Sequence, residues 1–498
     1  MTAPPTQNRR LFAAVVAAAA FLPYLPTQHF DFVYDDLGQI VNNARLRSWA
    51  YLPAYFTEHV WAHMPDIAAQ FYRPLFLIWL RINYALFGAQ PAGWHFTSVL
   101  AHVVAAVLLY AMVLRLGKDR LLAATAAIIF AVYPVHAESV AWVSGSADVL
   151  LAIASFVCIL AFSRDDRRSR LIGVTAFTAA LLLKETAAVL LPLVFVEIYL
   201  NDEGPHRMRD TGRRIVPLVA VFIVYLGLRF AALSGFGAAT ADVPFAVAAA
   251  SIPRLLWWYL TNLFWPANLS AFHDFEIAPV TFASVALPLI GILTVAVVFW
   301  AMVRYVASSS AEKKLSILAI ALIVLPIIPV LKISSLDLTN LVHERYLYLP
   351  SAGLCILLAI GLNRIVEAAL PSREAGLLIT GTVAAVLATI TVRESRIWHY
   401  EIALYTRALQ TAPHSVAVKN NLAVALIETG NCAAAMPLLQ KATELDPKNW
   451  LAYANMGECA AEVQDWINAE KYYSRAVELN PMPVLVQQLQ SVRKNLQR

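Results

Sequence analysis

Charge is scarce in this chain. Of its 498 residues only 14% are charged, and 59% are hydrophobic. A soluble domain carries roughly one quarter charged residues. With a mean hydropathy of +0.61, there is too little polar surface to clothe a water-facing globule. Cysteine is also scarce, at four residues. Cys158 and Cys355 sit inside apolar runs and read as small hydrophobes. No Cys or His spacing resembles a zinc or redox motif. No Lys/Arg stripe with interleaved aromatics is present, so the net charge of +5 is not a nucleic-acid footprint, and nucleic acid is excluded as a partner. No inverted repeat or pair of interrupted helices points to a transporter.

What is present is a series of long apolar runs. A bilayer-spanning helix needs roughly 20 apolar residues. Runs of suitable character occupy 11–26, 95–115, 121–135, 147–163, 171–184, 186–200, 215–233, 281–303, 315–333, 346–362 and 375–392. Arg9 and Arg10 precede the first, which reads as a retained signal anchor rather than a cleaved leader. Two further runs, 74–88 and 252–265, are judged by charge. If neither crosses, the basic loops 115–120, 164–170, 201–214, 304–314 and 363–373 all share one side with the N-terminus, as the positive-inside rule requires. If 74–88 crosses, the basic loops that follow it are inverted. The expectation is about 11 spans, the N-terminus cytoplasmic, and 74–88 and 252–265 lying along the outer surface. Short loops and abundant Ala favour a bacterial inner membrane, with the endoplasmic reticulum second.

The last hundred residues change character. Residues 414–447 and 448–481 are two units of 34 residues, the tetratricopeptide period. Leu422 matches Met456, Ala423 matches Gly457, Ala435 matches Ala469, Ala442 matches Ala476, and Pro447 matches Pro481. Residues 397–413 read as the second half of an earlier unit, and 482–498 as a polar capping helix. The expected division is thus a membrane domain over 1–393, with an outer loop 27–94, and a repeat domain over 397–498. An oxidising outer compartment would favour a Cys432–Cys459 disulfide on neighbouring helices; the spacing leaves this open.

The polar residues gather in the outer loops. Asp35 and Asp36 follow Tyr34 just after the first span. Adjacent carboxylates at a membrane mouth are costly unless used; a solvated helix cap is the plainer reading. Tyr72 and Arg73 open the run 74–88, where Arg73 suits a lipid phosphate or a snorkelling anchor. His136 and Glu138 lie at the outer end of the third span, with Asp148 slightly deeper; two such ligands are too few for a metal site. Lys184 and Glu185 are adjacent, and adjacent residues on a helix do not face each other, so at least one pairs elsewhere. Glu344 and Arg345 enter the tenth span, either as an ion pair that fixes the helix end or with Arg345 open to an anionic head group. Carboxylates, histidines and cations converging on one membrane face from five loops favour an active site.

These motifs resemble a known family. Y-D-D at 34–36, Y-R-P-L at 72–75, G-W-H-F at 93–96 with His102, the run at 133–148, L-K-E-T at 183–186 and H-E-R-Y-L-Y-L-P-S at 343–351, followed by the repeats, are similar to the transmembrane and tetratricopeptide-repeat O-mannosyltransferases of the GT-C superfamily. The likeness runs along nearly the whole chain. It departs at Tyr133, where the family pattern has His, and at Ser146, where it has Arg. The resemblance implies an all-α, polytopic GT-C-like helical bundle with a C-terminal repeat solenoid. It implies a sugar, mannose by the family, passed from a polyprenyl-phosphate donor to a hydroxyl with inversion. Asp35 or Asp36 would be the general base, with Asp35 favoured. Glu138 would orient the acceptor or the base, supported by His136. Arg345, Arg73, Lys184 and Tyr348 would meet the donor phosphate. Tyr72, Glu185, Glu344, Asp148, His95 and His102 would complete the site. A divalent ion, Mg or Mn, is a possible cofactor, since some relatives use one and others do not. The repeats would recruit an acceptor protein. Two alternatives stand beside this reading: a GT-C transferase with a glycan or lipid acceptor, and a membrane scaffold without chemistry.

Overall fold

A computed structural model of the chain describes residues 5–64, 70–233, 235, 244–275, 277, 281–331, 341–369 and 373–497. The described residues form helices and turns, without a strand. Among the described residues, eight helices are long and apolar enough to cross a bilayer, or nine if one bent pair is counted as a span. The chain is an integral, multi-pass membrane protein. Two of the eleven expected spans come out short. The helix Arg167–Leu183 has 17 residues and Leu190–Asn201 has 12, about 25 and 18 Å of rise against a core of about 30 Å. The reason is the Lys184–Glu185 corner. Lys184 leaves the helix in an extended conformation, and a 3-10 turn over Glu185–Val189 intervenes before the next helix. Run 74–88 is the helix Pro74–Phe87, 14 residues long. Run 252–265 lies within the longer helix Phe245–Phe264.

The chain divides into two compact units: Met1–Leu269, Ile277–Asp337 and Glu344–His399 make the first, and Ser270–Glu276, Leu338–His343 and Tyr400–Arg498 the second. In the first unit, local rules set the helix ends. Asp119 accepts hydrogen bonds from the backbone N–H groups of Leu121 and Leu122, capping Arg120–Ala131. Lys118 closes the preceding helix, Pro91–Gly117, in the left-handed region. The bent pair breaks at Pro134, which has no N–H to donate, and the two pieces meet at 50°. The carbonyls released by the break are satisfied sideways: His102 bonds to Ala131 and Thr391 to Val132.

The stretch 27–94 is ordered by its own apolar core. Phe32, Ile40, Leu46, Phe76, Leu80 and Trp94 pack together, and Val143 and Ala147 from the next loop join them. Burying this cluster carries the Tyr34–Asp36 turn against the 143–148 segment.

The second unit is a series of antiparallel helices: Glu401–Thr411, Val416–Glu428, Cys432–Leu445, Trp450–Glu462, Trp466–Leu479 and Pro483–Leu496. Small residues recur where helices touch. A Cβ on Gly457 would meet the Tyr473 ring at 2.9 Å, which is why the repeat position matched to Ala423 holds glycine. Cys432 and Cys459 form a disulfide. Two stretches expected in the membrane domain fall in this unit, Leu338–His343 and Ser270–Glu276. Ser270–Glu276 is tied to it by hydrogen bonds: Thr411 donates to the Phe272 carbonyl at 2.7 Å, and Asp274 accepts from the His414 backbone at 3.0 Å.

Candidate active site

Two adjacent carboxylates occupy different surroundings. Tyr34 takes a φ of +56°, which costs about 1–3 kcal/mol for a side chain with a Cβ, and its ring lies 5.6 Å from that of Trp142. This turn directs Asp36 inward. Asp36 is fully buried, and its Oδ1 accepts from the Ser144 N–H at 2.8 Å and the Ser144 hydroxyl at 2.5 Å. Burial raises its pKa to about 7 against the lowering effect of those bonds. Asp35 stays partly exposed, and its side chain makes no hydrogen bond among the described residues. Burial raises its pKa to about 6, while the positive charges of Arg345 and Arg73 pull it down. Asp36 is therefore a structural pin, and Asp35 an available carboxylate.

Around them stand three cations, each bound to a carboxylate from a distant stretch of chain. Arg73 grips Glu185 with two prongs, at 2.9 and 2.6 Å. Lys184 lies 2.6 Å from both oxygens of Asp148. Glu138 accepts from the Arg345 backbone N–H at 2.8 Å and from its Nη1 at 2.5 Å. The Lys184–Glu185 corner thus splits, one residue to Asp148 and the other to Arg73. Arg345 pairs with Glu138 rather than with Glu344, its neighbour in sequence, which is buried one residue before it. The Tyr346 ring ties the group together, with Lys184 Nζ 4.8 Å from its centre and Arg345 Cζ 5.2 Å. Arg345 also lies over Trp142 at 5.3 Å.

Several expected roles change. Glu138 holds Arg345 through both its backbone and its guanidinium, which gives it a positioning part. His136 does not support Glu138; its Nε2 meets the Ser351 hydroxyl at 2.7 Å, and its ring packs 4.3 Å from Tyr348. Tyr348 is not a phosphate contact. It is fully buried on the inner side of the first turn of its helix, and its hydroxyl donates to His102 Nδ1 at 2.7 Å, because His102 Nε2 already donates to the Ala131 carbonyl at 2.9 Å. His95 packs edge-on to Phe30. Tyr72 donates to the Phe56 carbonyl at 3.0 Å, within the outer loop. Among the described residues, no three His, Cys, Asp or Glu side chains gather as a metal site, and no chemical step is assigned to a metal ion. Ser144, Trp142 and Tyr346 are the contributors that the motif reading passed over. All three lie inside the runs 133–148 and 343–351, and their signal was that contiguity.

The comparisons with known proteins follow the same segments. The family described as tetratricopeptide repeat matches residues 416–449. Human protein O-mannosyl-transferase TMTC1 is 27% identical over 89% of this chain and 56% of its own length. Protein O-mannosyl-transferase F38B6.6 of Caenorhabditis elegans is 27% identical over 87% of this chain and 62% of its own. The chain therefore spans little more than half the length of these curated relatives. Among solved structures, ArnT from Cupriavidus metallidurans, crystallised bound to undecaprenyl phosphate, matches with a TM-score of 0.40 and 16% identity over 93% of this chain and 81% of its own. By sequence along nearly all of its length, the chain is a homologue of the transmembrane and tetratricopeptide-repeat protein O-mannosyl-transferases.

Proposed function

We propose that the chain is a membrane glycosyltransferase that moves mannose from a polyprenyl-phosphate donor to a Ser or Thr hydroxyl of a protein, on the outer face of the membrane. The observation that carries this is the contrast at residues 35 and 36. One carboxylate is pinned, and the other is open and under the influence of two cations. A general base works best with a pKa near the working pH, and Asp35 at about 6 is close to it. Asp35 takes the proton of the acceptor hydroxyl, whose oxygen attacks the anomeric carbon. The bond from that carbon to the phosphate oxygen breaks, and the phosphate leaves with its electrons. Attack opposite the leaving group inverts the anomeric centre.

Negative charge then grows on the leaving phosphate, and preorganised cations lower that barrier. Arg345 is the main candidate. Glu138 engages its backbone and Nη1, which leaves Nε and Nη2 without a hydrogen bond among the described residues. Arg73 and Lys184 add positive potential from fixed positions. The clustering of basic loops at the other end of the spans supports an outward-facing site, a cytoplasmic N-terminus and a periplasmic repeat unit in a bacterial inner membrane. The repeat helices would present a concave surface to the acceptor protein.

The test is release of polyprenyl phosphate by the purified protein from polyprenyl-phosphate mannose with periplasmic extract, with the anomeric configuration of the product read by NMR. Inverted mannosyl protein supports the proposal. Transfer only to a glycan or lipid, or transfer only from another sugar donor, revises the acceptor or the sugar. No turnover with any donor favours a scaffold. Runs with EDTA and with added Mg2+ or Mn2+ read out metal dependence.

A further inference from the structure

A second polar site lies at the opposite end of the same helices. A cavity of about 790 Å³ opens there, lined by five cations: Arg9, Arg115, Lys118, Arg120 and Arg164. Among the described residues no carboxylate lines it. Among the described residues none of the five makes an ion pair. Arg115 follows His95 along one helix by about 30 Å of rise, so the cavity is on the other membrane face from Asp35. Arg164 lies just past the far end of the helix whose first turn carries Asp148.

The positive-inside rule accounts for basic residues in these loops, and the C-terminal helix dipole favours Arg115 and Lys118 where they are. Neither accounts for a concavity, nor for Tyr110. That residue lines the cavity at 4% exposure, and its hydroxyl is buried with no hydrogen-bond partner among the described residues. A buried hydroxyl without a partner costs roughly 1–3 kcal/mol, so it points to an absent acceptor. Five cations line the same cavity as that hydroxyl, and an anion with several acceptor oxygens is the ligand that could meet both. Leu108, Leu114 and Ile172 supply an apolar wall, and Ile172 and Leu171 are 44% and 68% exposed beside it. Such a wall suits acyl chains and does nothing for a soluble ion.

We propose that this cavity binds the phosphate of an anionic phospholipid head group in the leaflet opposite the candidate active site. The cations neutralise the phosphodiester, Tyr110 donates a hydrogen bond to it, and the acyl chains lie along the apolar wall. The proposal is independent of the transfer reaction and survives its failure.

Native mass spectrometry of the full chain, released from detergent, tests it with phosphatidylglycerol, phosphatidylcholine and inorganic phosphate as probes. The wild type should retain one phosphatidylglycerol under conditions that strip phosphatidylcholine. Arg115→Gln with Arg120→Gln should weaken retention by about tenfold or more, the scale of lost charge-assisted contacts. Tyr110→Phe, which keeps the ring and every charge, should weaken it by a few fold and decides the matter should the double variant not fold. Equal retention of the two lipids, or unchanged binding in Tyr110→Phe together with the double variant, overturns the site. Binding of inorganic phosphate with no preference between the lipids overturns the lipid assignment and leaves a soluble phosphate as the ligand.

Discussion

The two ends of the membrane helices treat positive charge in opposite ways. At the end that holds Asp35, Arg73, Lys184 and Arg345 are each clamped by a carboxylate, and the Lys184–Asp148 pair is almost wholly buried. At the other end, five cations share a cavity that no carboxylate lines among the described residues. The difference follows from solvation. A buried charge must be paired, because leaving one partner alone costs about 3–5 kcal/mol. A charge at the wetted rim needs no partner. Pairing also fixes geometry: a cation held by two bonds keeps its position while charge shifts beside it, whereas an unpaired cation can move to meet whatever anion arrives. On the two proposals above, one end serves a reaction and the other a resident ligand.

The largest break in that comparison comes from removing a clamp. Glu138→Gln leaves Arg345 loosely held, and sugar transfer should fall by about 10²- to 10³-fold, read as initial rate with donor saturating. The Arg345→Gln and double variants should lose little more, since the two residues act as one unit. Next comes Lys184→Met, which leaves Asp148 buried and alone; chemical denaturation should show a loss of about 3–5 kcal/mol, much of it restored when Asp148→Leu is added. The pH dependence is third. Asp35 must be ionised to act, and burial raises its pKa to about 6. Turnover relative to KM should therefore be level above that pH and fall about tenfold per unit below it. A limb near pH 4 instead would mean that burial does not govern this carboxylate. Smallest is Arg164→Gln at the basic end, an exposed and unpaired position. Its stability should change by less than about 0.5 kcal/mol, and transfer should stay at the wild-type rate.

How much of this was legible in the sequence depends on the range of each constraint. The repeat helices could be read because each 34-residue unit must present the same small residues to its neighbour, as Ala423 and Gly457 do. The residues of the candidate site could be singled out as a set because they stand in short polar runs between apolar ones. Their pairing could not be read. Arg73 and Glu185 are 112 positions apart, and Glu138 and Arg345 are 207 apart. Nothing local in either partner names the other. Asp36 and Asp35 are alike in sequence and are told apart by the turn at Tyr34 and by Ser144, 108 positions on, which reaches one of them. The two short helices on either side of Lys184 read as spans because composition counts apolar residues, while the corner that ends the first is set by the partners of Lys184 and Glu185. The segment Ser270–Glu276 carries no repeat signal, and its membership of the second unit rests on contacts with Thr411 and His414.

The most direct measurement compares Asp35→Ala with Asp36→Ala in polyprenyl phosphate release, with the thermal melt of each variant followed alongside. Asp35→Ala should fold as the wild type does and lose transfer by about 10²- to 10⁴-fold, the usual contribution of a general base. Asp36→Ala should lower the melting temperature, because Ser144 loses its buried partner. Transfer that survives Asp35→Ala at the wild-type rate would contradict the assignment of the base, and with it the distinction between a pinned and an available carboxylate.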